Sequence, residues 1–263
     1  MENTEYGIID AEPRNLLPET KLLIVPHKAG KLVVRYPAFG PNNYSANVLE
    51  MQKDHYHSVL FHKISFSPAT TSESVSASAY KFGEMAKKEI FNPSWLQLGL
   101  IARTSEGVFA NPPKDENGNP IFDEETLKSY LNGVKRIEGI CLVPDTNNLH
   151  DFGFAPYETF KQGIQDSGDF AESGLARLLE HSEGKVAENL REISSQKFYR
   201  KGVNVFDFDQ VKEPILRVAY LYSCRNSFVD NGFHINGGNS VYDRYGYAFG
   251  VRNVNAEGVV PKN

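Results

Sequence analysis

The chain has 263 residues, 40% of them hydrophobic and 23% charged, with a formal net charge of −5. These are globular values on a chain long enough to bury a substantial core, and they exclude bulk disorder. The acidic balance leaves no basic footprint for nucleic acid, and no run approaches the roughly 18 apolar residues of a membrane span. The opening MENTEYGIIDAEPRN lacks the basic-then-apolar order of a secretory signal. Two cysteines, Cys141 in the apolar run GICLV and Cys224, have neither disulfide-framework nor zinc spacing.

In chain order, Lys21 to Pro26 (KLLIVP) and Lys31 to Tyr36 (KLVVRY) read as a hairpin joined by HKAG, with PAFGPNNYS from Pro37 to Ser45 as loop. Ser58 to Ser67 offers a third strand, giving a β-rich N-terminal segment over residues 1–66. Thr70 and Glu73 form a capping box. It opens a helix whose apolar positions Val75, Ala79, Phe82, Ala86 and Ile90 fall at helical spacing, with Pro93 ending it. Ser94 to Ile101 is core, with the single Trp95 as a packing anchor. NPPKDENGNP is an exposed loop, Asp123 to Asn132 a short helix closed by Gly133, and Glu138 to Val143 a buried strand. Pro156 starts a helix over YETFKQGIQD, Asp169 caps FAESGLARLLEHS, and Lys185 to Ser195 is an amphipathic helix. Strands return at Val203–Phe208, Ile215–Tyr222 and Tyr247–Val254. Strands and helices that do not alternate indicate an α+β fold.

The most informative stretch is Pro214 to Ala256. It contains no Lys, Glu, Gln, Met or Trp, although these types make up 48 of the 263 residues. Independent draws would leave such a window empty roughly once in several thousand tries. From Tyr220 to Tyr245, 16 of 26 residues are Tyr, Ser, Asn, Asp or Gly. That is the composition of an antibody paratope, where Tyr supplies rigid contact area and Ser, Asn and Gly supply adaptable hydrogen bonds. The excluded types share a genetic property: none has a codon ending in a pyrimidine. A loop this long is usually functional or disordered, and the recurring Val229, Phe233, Ile235 and Val241 argue for order.

Motifs for chemistry are weak. His55, His57 and His62 lack carboxylates at ligand spacing. Asp207 and Asp209 have no acid/base partner, and the glycines fit neither GxGxxG nor a P-loop. There is no GxSxG elbow. These readings point away from an enzyme, a metal and a cofactor.

The ending Tyr247-Ala248-Phe249-Gly250-Val251-Arg252-Asn253-Val254 resembles the final G-[FV]-R-x-V strand of C-type lectin-fold modules of the formylglycine-generating-enzyme type. Together with the stretch before it, it is similar to the variable region of diversity-generating-retroelement target proteins. The middle, Phe154 to Phe160 with Gln165 to Phe170 and Gly174 to Arg177, resembles viral members of that group, including archaeal-virus variable proteins. The resemblance covers about a fifth of the chain at the C-terminus. It implies that reverse transcription with substitution at adenines diversifies Asn codons ending in a pyrimidine, which is the rule read from the window. The catalytic cysteine pair and the R-x-P-x-E-x-E-W segment of the enzymes have no counterpart, so oxidase activity is not implied.

The expectation is therefore a C-type lectin-like domain over 67–263 with helical insertions and a variable region at about 214–256. It would be a non-enzymatic binder of a protein or glycan target on a host or neighbouring cell, carried on a virion. The alternatives are a conventional carbohydrate-binding module, which would need calcium ligands the stretch lacks, and a formylglycine-generating-type enzyme. Expected variable, solvent-facing positions are Tyr220, Tyr222, Ser223, Cys224, Asn226, Ser227, Phe228, Asp230, His234, Ser240, Tyr242, Asp243 and Tyr245. Expected scaffold positions are Leu221, Gly232, Phe233, Ile235, Gly237, Gly238, Val241, Gly246, Phe249, Gly250 and Arg252. The final strand is expected inside a sheet, with Phe249 and Val251 on one face and a buried, partnered Arg252 on the other.

Overall fold

Two β-branched runs joined by a tight turn make the first unit. In the computed structural model β1 (Lys21–His27) and β2 (Gly30–Asn42) pair antiparallel from Lys21↔Tyr36 to His27↔Gly30, and Lys28 turns the chain with φ 48°. The described residues are 21–53, 55–56, 64–80, 95–146, 149–196, 199, 202–223 and 232–254. β2 continues through the proline-rich segment expected as loop. Its partner β1 ends opposite Tyr36, so Pro37 and Pro41 lie where β1 no longer pairs, a place where a strand tolerates a missing N–H. α1 (Tyr44–Lys53) follows, capped where Asn43 Oδ1 accepts the Ala46 N–H at 2.8 Å. Short strands β3 (His55–Tyr56), β4 (Ile64–Ser65) and β5 (Ser67–Pro68) come next. Most of the predicted strand over Ser58–Ser67 lies outside the described residues.

The capping box forms with both arms in place: Thr70 Oγ1 accepts the Glu73 N–H and the Glu73 carboxylate accepts the Thr70 N–H at 2.8 Å. It starts α2 (Thr71–Ala79); Phe82, Ala86 and Ile90 lie outside the described residues. Then come β6 (Trp95–Arg103), β7 (Gly107–Ala110), α3 (Glu124–Ser129, capped by Asp123), β8 (Arg136–Ile137), β9 (Ile140–Leu142) and β10 (Gly153–Pro156). The helix expected from Pro156 does not form. One 3₁₀ turn, Tyr157–Thr159, gives way to extended backbone at Phe160 and to β11 (Gly163–Gln165), with Gly163 at φ 91°. Asp169 is not a cap either. Asp166 caps α4 (Ser167–Glu172), and Ser173, extended, ends it and caps α5 (Gly174–Glu180). The remaining elements are α6 (Glu188–Ser194), β12 (Val203–Phe206), β13 (Ile215–Ser223), β14 (Phe233–Asn239) and β15 (Gly246–Val254).

This is a mixed α/β fold with one large, mostly antiparallel sheet and few helices. One path runs β11-β12-β14-β13-β6-β7-β10-β9-β8, and β15 adds β2, β5 and, through β2, β1. β13 takes one whole edge of β6. The other edge is shared, with β15 beside Trp95–Leu96 and β7 beside Ile101–Arg103. The N-terminal hairpin thus joins the same sheet as the C-terminal strand. β15 is internal as expected. Phe249 and Val251 are buried in the main core, while Arg252 is half-buried rather than buried.

The main core lies between the sheet and α2, α4, α5 and α6, and includes Val75, Leu98, Leu175, Leu221, Phe233, Ile235 and Phe249. The opposite face carries smaller clusters. One groups Ala102, Phe109, Leu127 and Phe154; another Phe39, Met51 and Ala248; a third Leu100, Val218 and Tyr220 with Tyr44, Trp95 and Val241. Cys141 is buried and free, as its apolar run implied.

Candidate binding face

Period-2 alternation sorts the strands of the skewed window into two faces. Leu221, Phe233 and Ile235 point into the main core with Leu96, Val203 and Val205. Their neighbours Tyr222, His234, Trp95 and Phe206 take the other face, and the register Tyr222↔His234 and Leu221↔Leu96 brings them into one strip. The rings of Trp95 and Tyr222 stack at 4.7 Å and 6°, and those of Tyr222 and His234 at 4.9 Å and 6°. Phe206 stands edge-on to both Tyr222 and His234, at 6.1 and 6.0 Å. Each such pair contributes about 0.5–1.5 kcal/mol beyond its buried area.

After β14 the chain crosses this face as a short loop closed on itself. Ser240 N–H donates to Asp243 Oδ2 at 2.8 Å, Asp243 N–H to the Ser240 carbonyl, and Tyr242 N–H to Ser240 Oγ. Val241 packs into the cluster of Leu100, Val218 and Tyr220, while Tyr242 and Tyr245 are 74% and 77% exposed. Asp243 is exposed; Ser240 and Tyr222 are half-buried.

Three of the positions expected to face solvent do not. Tyr220 is 1% exposed, because the loop brings Val241 over it; its oxygen accepts from Gln97 Nε2 at 2.9 Å, and burial pushes its phenol pKa up. His234 is 3% exposed, stacked on Tyr222 beneath Phe206. Ser223 is buried because it shares the inward face of Leu221, two residues away. Cys224, Asn226, Ser227, Phe228 and Asp230 lie outside the described residues. Gly237 and Gly238 belong to β14 rather than to a turn. A Cβ on either would meet Phe208 or Asp207 at 2.6 Å, so the two glycines admit the Asp207–Phe208 segment against the strand. Trp95 and Phe206 belong to the strip and were not among the expected face residues. A lone aromatic at a strand position signals packing, and only the register shows against what.

Asp145, Asp151 and His181 hold their ligand atoms within 4.8 Å of one another, the spacing a cation needs. The centre is already served by a side chain: the Lys28 ammonium donates to Asp145 at 2.6 Å and to the buried Asp151. Asp151 also accepts from Thr70 Oγ1 and from Ser72 Oγ at 2.6 Å. Burial pushes the Asp151 carboxyl up, but Lys28 and these donors outweigh it and hold it below its ordinary value. Lys28 is held above its own value: burial opposes the charge, and the two carboxylates win. His27, beside Ser76 Oγ at 2.9 Å, and His181 are pushed down by burial against the pull of Asp151. This is the arrangement of an ion-paired hub joining the hairpin turn, α2, the loop before β10 and the end of α5. The side chains of His55, His57 and His62 lie outside those described.

The paired carboxylates of the sequence are each committed: Asp207 accepts from Asn236 at 3.0 Å, and Asp209 from Gln162 at 2.8 Å. A cleft of about 740 Å³ opens beyond Tyr44 and Leu100, walled by Phe66, Pro68, Pro112 and Tyr130. Its Asp115 is engaged by the backbone N–H groups of Asn117 and Asn119. Among the described residues no helix is long and apolar enough to cross a membrane. Compared with known protein families, curated proteins and solved structures, the chain shows no significant match to any.

Proposed function

We propose that this is a non-enzymatic binding protein whose C-terminal C-type lectin-like module presents a surface diversified by mutagenic reverse transcription. The observation that carries the reading is the window Pro214–Ala256, emptied of every residue type that lacks a pyrimidine-ending codon. The layout of that window supports it. Its strands set large apolar residues inward, and its loop sets Tyr242 and Tyr245 outward. Tyrosines in such positions act as rigid anchors in an interface, the rest of which supplies complementarity. A protein or glycan on another cell's surface is the target class that the resemblance implies.

Sequencing around the gene tests the genetic half. A near-copy of codons 214–256, differing mainly opposite adenines and lying beside a reverse-transcriptase gene, is the expected result. A neighbourhood with neither a repeat nor a reverse transcriptase overturns it.

A further inference from the structure

The window does not hold itself in place. At the base of its exposed loop, Asn47 Nδ2, on α1, donates to the Gly246 carbonyl and to Gln97 Oε1, both at 2.9 Å. Gln97 Nε2, on β6, donates to the Asn42 carbonyl at 3.1 Å and to Tyr220 Oη at 2.9 Å. Asn47 is 0% and Gln97 1% exposed. Two buried amides thus tie together β2, α1, β6, the phenol of β13 and the first residue of β15. The fit leaves no slack: a Cβ at Gly246 would meet Gln97 Nε2 at 2.1 Å. In a buried setting, a donor or acceptor left without its partner is costly, so the amides fix the backbone they hold.

We infer that Asn47 and Gln97, both outside the window, are positioning residues. They pin the start of β15 and Tyr220, so the Ser240–Tyr245 loop is presented from a fixed base. Among the exposed residues of that loop, the replaceable positions are then Tyr242, Arg244 and Tyr245, whose side chains take no part in closing it. Tyr220, His234, Asn236 and Gly246 are fixed by contacts beneath. This rests on the display reading for its purpose, but the clamp itself does not depend on how the window arose.

Asn47→Asp is the sharpest test, because it is isosteric and turns the donating nitrogen into an oxygen facing the oxygens of Gly246, Gln97 and Asn42. Amide hydrogen exchange on the full chain is the measurement. At pH 8, exchange in residues 240–247 is expected to rise at least tenfold relative to wild type, with β1 and α5 unchanged. At pH 5 part of the protection returns relative to wild type at the same pH, since a buried carboxyl, its pKa raised, regains an O–H donor. A role in packing alone gives no such recovery. Unchanged exchange in the loop, or a loss spread evenly over the whole sheet, overturns the inference. Should Asn47→Asp fail to fold, Tyr220→Phe decides: a smaller rise confined to 240–247 supports the clamp, and none overturns it. A failed clamp leaves the gene-neighbourhood result untouched, and the reverse also holds.

Discussion

Around Asp151, segments distant in sequence are joined by charge: Lys28 from a hairpin turn, hydroxyls from α2, Asp145 from a loop and His181 from the end of α5. Around Tyr222, four strands are joined by rings, with Trp95 and His234 stacked on its two sides and Phe206 edge-on. The first region depends on the protonation of several groups and the second on shape. A surface meant to change its side chains cannot rely on pairs of opposite charge, because replacing one member strands the other. Rings, small polar groups and backbone hydrogen bonds carry no such debt, provided the base is held by residues that stay constant.

The comparison breaks most visibly at the window's inward face. Phe233→Ala and Phe249→Ala each empty a fully buried position and are expected to cost about 3–5 kcal/mol in chemical denaturation. Tyr220→Ser belongs with them, since it removes a buried ring and leaves Gln97 Nε2 short of an acceptor. If Tyr220→Ser were neutral, the residue would belong to the display face after all.

The hub gives the next largest effect and a pH signature. Lys28→Met removes the cation and leaves the buried Asp151 carboxylate with the Thr70 and Ser72 hydroxyls, beside the Asp145 carboxylate and the His181 ring. A loss of about 2 kcal/mol at pH 7 is expected, less than for a fully buried pair because the lysine is partly exposed. His27 and His181 titrate in the fold below their ordinary 6.5. The unfolded chain therefore takes up protons first as the pH falls past 6.5, and stability declines from there. Asp151, held below its ordinary 3.8, contributes stability that is present above that value and lost as the pH falls through its folded pKa. Melting temperatures from pH 8 to 3 should show both losses, and the gap between wild type and Lys28→Met should close once Asp151 is protonated. A flat profile in the wild type would contradict the role given to the hub.

How much of this was legible follows the range of the interactions. The capping box at Thr70 and Glu73, the hairpin at Lys21–Tyr36 and the inward Leu221, Phe233 and Phe249 depend on spacing within a few residues, and all are in the sequence. The hub was not, because Lys28 and Asp151 meet only through the fold. Nor were Asn47 and Gln97 as a pair, although a glutamine inside SWLQLGLI does break an apolar run. The helix expected after Pro156 failed because local propensity lost to the pairing of β11 with β12. Tyr222 and Ser223 cannot both face outward, because the strand they share alternates. Tyr220 is different: alternation puts it on the face opposite Leu221, but Val241, from the loop twenty residues later, packs into its cluster.

The smallest effect is the most telling for display. Tyr242→Ser and Tyr245→Ser remove two rings that are about three-quarters exposed, on a loop closed by bonds among Ser240, Tyr242 and Asp243 that involve the Tyr242 backbone and not its ring. Each should change stability by less than about 0.5 kcal/mol, the range of surface substitutions away from special features. Neither ring touches a titrating group of the hub, so the acid branch of the melting profile should superpose on that of the wild type. The double variant should therefore match wild type in melting temperature at pH 8 and at pH 5. A loss of 2 kcal/mol or more would mean that these tyrosines support the fold, and that the loop is structure rather than a site free to vary.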